Sequence, residues 1–282
     1  MTRFSVIIPA YRARFLARAI ASVLRQEGSD LELILFDDAS PEPLAEIAAS
    51  FADARIRYFR SVTNLGADDP SRAWNEALSL ATGDFVVLLG DDDEIDPNYL
   101  AEMEALIDGK PGRDLYRCRL RLIGEEGELL SIGFPVPEIE SWDEFLYFRN
   151  SGHRAHSTAE MCIRSSALRG LGGWPSMPCA IGSDDLCYLS LAARAGIAST
   201  NTTWASWRTH RRQISTSRKK EGCRLRALRL LGDAEKTFVE AHRPERLPME
   251  LLLQKLPGQG SRGVVEVVRS RLARIIGLLG VE

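Results

Sequence analysis

The chain lacks any run of about 18 apolar residues, the length a bilayer-spanning helix needs. Near its N-terminus the apolar run at residues 4–8 is too short for a secretory signal and stops at Pro9. The expected location is therefore the cytoplasm, free or peripheral at the inner face of the membrane. There is no internal repeat and no low-complexity tract, which excludes repeat architectures and collagen-like or disordered chains. The five cysteines (Cys118, Cys162, Cys179, Cys187, Cys223) are odd in number and contain no C-x-x-C pair. Neither a disulfide framework nor a zinc ribbon is expected from them. An excess of one charge is missing too: 36 Lys+Arg stand against 39 Asp+Glu, a net charge of −3 that gives no electrostatic reason to invoke nucleic acid.

What is present is the composition of a globular protein, 45% hydrophobic and 27% charged over 282 residues, enough for a real core. Residues 4–9, 31–36, 56–59 and 85–89 read as apolar, β-branched strands. Between them the three-and-four spacing of Phe15, Leu16, Ala19, Ile20, Val23 and Leu24, with Gly28 beyond, predicts a helix. Further helices are expected over 42–51 and 71–81. This alternation predicts an α/β fold, a doubly wound and mainly parallel sheet with helices on both faces. Beyond Pro97 the expectation is looser: strands near 115–123 and 160–163, a Gly/Pro-rich stretch at 124–137, and a helix near 186–195. Residues 1–221 are taken as one α/β domain, divided after residue 97 into 1–97 and 98–221, and 222–282 as a helical C-terminal extension. Within the extension, residues 244–263 look linker-like, and 264–279 are amphipathic with Arg269, Arg271 and Arg274 among valines, leucines and isoleucines. That last stretch suits packing on the domain, pairing with a second subunit, or a cationic helix lying on an anionic membrane.

In a doubly wound sheet ligands sit outside the carboxyl ends of the strands, so the loops after Pro9, Phe36 and Leu89 should converge. Asp91, Asp92, Asp93, Glu94 and Asp96 crowd one such loop. Carboxylates this close repel one another, and a fixed cation would relieve the cost; the plain alternative is a solvated acidic loop capping the next helix. Mg²⁺ or Mn²⁺ suits oxygen donors and shares its shell with substrate phosphates. Asp38, after the second strand, is either an Asx-turn or capping residue or a carboxylate that accepts a proton from a nucleotide base or ribose. Tyr11 could lay its ring against that base.

Val6-Ile7-Ile8-Pro9-Ala10-Tyr11, Asp37-Asp38-Ala39-Ser40, Asn64-Leu65-Gly66 followed by Arg72-Ala73-Trp74-Asn75, and Gly83-Asp84-Phe85-Val86 leading into the acidic cluster and Pro97 stand in an order that resembles family 2 glycosyltransferases of the GT-A fold. The resemblance is good over about the first 100 residues. It implies an inverting hexosyltransferase that uses a UDP- or dTDP-linked sugar and a divalent cation, Mn²⁺ or Mg²⁺, with residues 1–221 as the GT-A catalytic domain, 1–97 holding the nucleotide sugar and 98–221 the acceptor. Pro9, Ala10, Tyr11, Asp38, Arg72 and Asp91 would face the nucleotide, and Asp92, Asp93 and His210 the metal. Gly90 stands where the family's commonest pattern has its first Asp, so Asp92, five residues before Pro97, is the preferred ligand. The gap between Asn64-Leu65-Gly66 and Arg72 is also slightly longer than usual. Leu171-Gly172-Gly173-Trp174-Pro175, then Gly182-Ser183-Asp184-Asp185-Leu186, resembles the segment holding the family's catalytic acid pair, which puts the base on Asp185 with Asp184 beside it. The plain reading of that pair is a helix N-cap. Trp207-Arg208-Thr209-His210 with Ser215 and Ser217 resembles a further segment whose His can face the pyrophosphate or metal. His153 and His156 are read as surface or core residues. Arg211, Arg212, Arg218, Lys219 and Lys220 are read as a solvated face, or as a loop closing over the diphosphate. The sequence leaves the acceptor open among a growing surface polysaccharide, a lipid-linked sugar and a small metabolite. A nucleotidyltransferase is the first alternative, weakened by the absence of glycine from residues 9–18; a non-catalytic nucleotide- or sugar-binding protein is the second.

Overall fold

The first strand, β1 (Arg3–Ala10), is buried along both faces, and its alternating side chains divide between two cores. Val6 and Ile8 meet Leu16, Ile20 and Val23 of α1 (Leu16–Leu24), whereas Ile7 joins the opposite cluster. The order then runs β2 (Asp30–Asp37), α2 (Leu44–Ala49), β3 (Ile56–Arg60), α3 (Ser71–Leu80), β4 (Phe85–Leu88). All four strands are parallel neighbours in the order β3-β2-β1-β4. Each fully buried leucine or isoleucine of this layer contributes roughly 1.5–3 kcal/mol of transfer free energy. The computed structural model describes residues 2–210, 221–244 and 246–252. The basic segment with Arg211, Arg212, Arg218, Lys219 and Lys220, the serines Ser215 and Ser217, and the amphipathic stretch 264–279 lie outside the described residues.

The second half completes the sheet. It contains β5 (Glu94–Ile95), α4 (Tyr99–Gly109), β6 (Leu115–Ile123), β7 (Leu129–Ile132), β8 (Ile139–Glu140), α5 (Trp142–Asn150), β9 (Met161–Arg164), α6 (Ser165–Gly170), α7 (Ser183–Ala195), β10 (Ile197–Arg208), α8 (Glu221–His242) and α9 (Met249–Leu252). β9 is antiparallel to both β4 and β6, so β6 runs the same way as the first half, and β10 lies parallel beside β6. The short β5 closes the far edge antiparallel to β10. The sheet is thus doubly wound and mainly parallel, as expected, with α1 and α4 packed in one core and α3, α5 and α7 in the other. Among the described residues no helix is long and apolar enough to cross a membrane.

Three details differ from the sequence reading. The helix expected from residue 186 begins at Ser183, because Gly182 (φ 82°) turns the chain into it, so Asp184 and Asp185 occupy its first turn and do not cap it. The Gly/Pro-rich stretch carries a strand, β7, which pairs with β6. Cys179 and Cys223 form a disulfide, contrary to the expectation of none. An odd cysteine count disfavours a framework but leaves room for one long-range bridge. The partners, 44 residues apart, meet because α8 docks on the turn before α7. Buried Ala227, Leu231 and Val239 anchor that helix.

Candidate active site

Parallel strands deliver their carboxyl ends to one edge of the sheet, and three of the singled-out segments meet there. After β4 the chain turns sharply: the Asp93 N–H donates to the Gly90 carbonyl (3.2 Å). A Cβ on residue 90 would stand 2.8 Å from Asp92 Oδ1 and 3.2 Å from Asp93 Oδ2. A side chain at residue 90, where the family's usual pattern has Asp, would therefore press on the Asp92 and Asp93 carboxylates and force them to shift. Asp91 Oδ2 accepts from the main-chain N–H groups of Tyr11 and Arg12, each at 2.9 Å, tying the turn to the end of β1. Asp93 Oδ1 accepts from the Arg208 N–H at 2.9 Å, and Asp92 Oδ2 lies 2.8 Å from His210 Nε2. The His210 ring packs on Phe15, with centroids 5.2 Å apart. Together Arg12, Phe15, Glu42, Asp91, Asp92 and His210 line a recess of about 320 Å³.

Electrostatics in this recess favour a cation. Burial, then the charge of Asp92, pushes the Asp91 carboxyl up to about 6, against the hydrogen bonds from Tyr11 and Arg12. Burial and the charge of Asp92 likewise raise the Asp93 carboxyl well above its ordinary value. Among the described residues no three His, Cys, Asp or Glu side chains form a ready-made cation cage. Carboxylate oxygens are nonetheless suitable donors for Mn²⁺ or Mg²⁺, which often takes only one or two carboxylates and completes its shell with phosphate and water; the imidazole nitrogen suits the softer Mn²⁺ better than Mg²⁺. The residues fit an ion completed by a substrate's phosphates.

The nucleotide-side candidates are distributed less evenly. Pro9 and Ala10 belong to β1 itself, which runs one residue further than expected, and the Ala10 carbonyl accepts from the Asp38 N–H (3.0 Å). Tyr11 is 40% exposed, so its ring is open to a ligand. Both members of the Asp37-Asp38 pair are buried, and Asp37 takes up Ser40 N–H (2.7 Å), the Tyr58 hydroxyl and the Arg60 guanidinium. Asp38 Oδ1 and Oδ2 accept from the N–H groups of Leu65 and Gly66 at 2.7 and 2.8 Å, so Asp38 organises the 64–66 turn. Each of its oxygens has a second lone pair for another donor. Arg72 is exposed on the first turn of α3 and is not among the residues lining the recess.

The acid pair builds a second cluster. Arg149, in the last turn of α5, grips Asp185 with Nε and Nη2 at 2.6 and 3.0 Å, a bidentate pairing that fixes the carboxylate's orientation. The Ser141–Glu144 capping box sets the start of that helix. The Asp185 charge holds the Arg149 guanidinium above its ordinary value. His156 Nδ1 lies 2.8 Å from Glu160 Oε1, and its Nε2 stands 3.3 Å from Asp184 Oδ2. Burial opposes charge on this imidazole, but the carboxylates of Asp184 and Glu160 outweigh it and raise His156 to about 10. Asp184 is the more open of the two acids, 20% exposed against 7% for Asp185.

The model of a family described as glycosyl transferase family 2 matches residues 5–153, more than half of the chain. The chain belongs to that family. It is 39% identical over 100 residues to a putative colanic acid biosynthesis glycosyl transferase, WcaA, of Escherichia coli, covering 34% of this chain and 35% of that protein. Over 155 residues it is 31% identical to the amylovoran biosynthesis glycosyltransferase AmsB of Erwinia amylovora, 51% of this chain and 50% of that one. A Campylobacter jejuni GalNAc(5)-diNAcBac-PP-undecaprenol beta-1,3-glucosyltransferase is 36% identical over 98 residues, covering 34% of this chain and 31% of its own length. These overlaps span between about a third and a half of the relatives. Among solved structures, S. aureus TarS 1–349 in complex with UDP-GlcNAc superposes with a TM-score of 0.64 at 16% identity, over 89% of this chain and 69% of that one. At that identity the likeness shows the GT-A fold.

Within this family 2 chain, four residues at the two clusters escape the sequence reading: Arg12, Arg149, His156 and Arg208. Arg149 meets Asp185 from 36 positions away and His156 meets Asp184 across the fold, so no local spacing signals these pairs; only the His156–Glu160 contact, four positions apart, is local. Arg208 sits in a segment singled out for its histidine. Its only sequence signal is its place two residues before His210.

Proposed function

We propose that the protein is a metal-dependent, inverting glycosyltransferase that moves a sugar from a UDP- or dTDP-linked donor to an acceptor hydroxyl in surface polysaccharide or glycolipid synthesis. The observation that carries the reading is the meeting of the β4 acidic turn, the β1 turn and His210 in one recess. Asp92, Asp93 and His210 would hold Mn²⁺ or Mg²⁺, and Asp91 orders the Tyr11–Arg12 backbone that borders the diphosphate. The ion, when bound, offsets charge developing on the leaving nucleoside diphosphate. The base and ribose would extend from the recess toward Tyr11 and Asp38. Asp185, oriented by Arg149, takes the proton from the attacking hydroxyl, and a single displacement inverts the anomeric centre. The relatives' roles in colanic acid, amylovoran and undecaprenol-linked glycan synthesis support a saccharide or lipid-linked acceptor.

The test is a thermal-shift screen of nucleotides and nucleotide sugars with and without Mn²⁺, followed by transfer or hydrolysis assays on those that bind. A ligand taken up by the folded state alone raises the midpoint, by RT ln(1 + [L]/Kd) in stability. UDP or dTDP sugars should shift it only with Mn²⁺ and be turned over. Binding without turnover would favour a non-catalytic binding protein, and turnover of nucleoside triphosphates in place of nucleotide sugars a nucleotidyltransferase.

A further inference from the structure

We infer that Arg208 is a positioning residue for this metal and donor site, holding the acidic turn after β4 in register with the turn at 124–125; the inference rests on the metal-dependent reading above. Arg208 is fully buried at the end of β10, and an arginine is rarely buried unless its donors are engaged. Nε donates to the Asp92 carbonyl at 2.9 Å. Nη1 donates to the carbonyls of Gly124 and Glu125 at 2.9 and 3.0 Å, and Nη2 pairs with Glu94. The guanidinium lies over the Phe15 ring, 4.8 Å from its centroid. Its own N–H donates to Asp93 Oδ1.

The consequence follows from which atoms are held. Nε fixes Asp92 by its carbonyl, and the Asp92 carboxylate is directed to His210. Because His210 is two residues further along the same chain, anchoring Arg208 also sets the height of the imidazole against Asp92. One planar group therefore holds main chain of both the acidic turn and the turn at 124–125, and supplies a positive charge beside the Glu94 and Asp93 carboxylates. A lysine would keep the charge, but a single ammonium cannot reach the Asp92, Gly124 and Glu125 carbonyls and Glu94 together. A residue serving the fold alone would, when changed, lower the midpoint and leave metal affinity in the folded protein untouched.

The full chain, Arg208→Lys, Arg208→Met and Glu94→Gln should be compared by Mn²⁺ titration in the presence of UDP, well below each variant's midpoint, beside unliganded midpoints. Loss of an outer-shell partner typically weakens metal binding about 10- to 100-fold, the loss expected for Arg208→Lys, with a smaller loss in the same direction for Glu94→Gln. If Arg208→Met does not fold, the other two variants carry the test. Mn²⁺ affinities within about twofold of wild type in Arg208→Lys and Glu94→Gln overturn the inference and leave the metal reading standing. A wild-type chain that takes up no Mn²⁺ with UDP overturns both.

Discussion

At Asp92, exchanging one oxygen for an amide removes the charge and keeps the size. Asp92→Asn should abolish the Mn²⁺-dependent shift produced by UDP while the unliganded midpoint stays close to wild type, since a repulsive charge is also removed. An unchanged Mn²⁺-dependent shift would remove Asp92 from the metal. For the acid pair, Asp185→Asn should retain donor binding and lose about 10²- to 10⁴-fold in kcat, the scale of a general base. Halving the Arg149 pairing should also cost roughly 1.5–3 kcal/mol in chemical denaturation. If Asp184→Asn loses turnover and Asp185→Asn does not, the more open acid is the base. His156 sets a pH dependence. Its pKa is raised to about 10 in the fold from an ordinary value of 6.5, so its contribution is fully present below about 6.5 and disappears as pH rises toward 10. The midpoint should therefore fall between pH 7 and 10, and His156→Gln should flatten that fall; equal slopes in the two proteins would show that the imidazole is not charged.

At the scale of elements, the junction before α7 carries the sharpest constraint. Gly182 has φ 82°, and a Cβ there would stand 2.8 Å from both methyl carbons of Leu231 on α8. Gly182→Ala should destabilise the chain by about 1–3 kcal/mol through left-handed strain and displacement of α8, read from denaturant midpoints. An effect under about 0.5 kcal/mol would mean that α8 gives way easily. The first half of the fold was legible because β1, β2 and β4 are nearly continuous apolar runs, each followed by turn residues and then, after β1 and β2, a helical repeat. β10 was not. Its sequence, IASTNTTWASWR, is rich in Ser and Thr, and its register against β6 shifts between Ser199 and Trp204, so no clean alternation survives. The candidate site was legible wherever it lies directly after a strand, at Tyr11, Asp38 and Asp91–Asp93. The partners of Asp185 were hidden because they are set by the packing of α5 on α7, which no local pattern records.

Across the whole molecule, the Cys179–Cys223 disulfide closes a loop that contains α7, β10 and His210. A loop of this length restricts the unfolded chain by up to about 4 kcal/mol. Reduction, or Cys223→Ser, should lower unfolding stability by roughly 2–4 kcal/mol, with intact-mass analysis counting the thiols; a midpoint indifferent to reductant would show that the bridge is absent or without weight. The position of β10 in the sheet matters at another moment in the protein's life. β10 is the last strand in sequence among the described residues, yet it lies between β6 and β5 and also pairs with β8. While the chain is still being translated, β1 to β4 can assemble as soon as they emerge, but β5 and β8 lack their strand partner and β6, paired with β7 and β9, keeps one edge open until residues 197–208 leave the ribosome. Nascent chains stalled before Ile197 should be cut by protease within residues 94–140 and protected over 3–88, and that interval of exposed strand edges is where a chaperone would be needed.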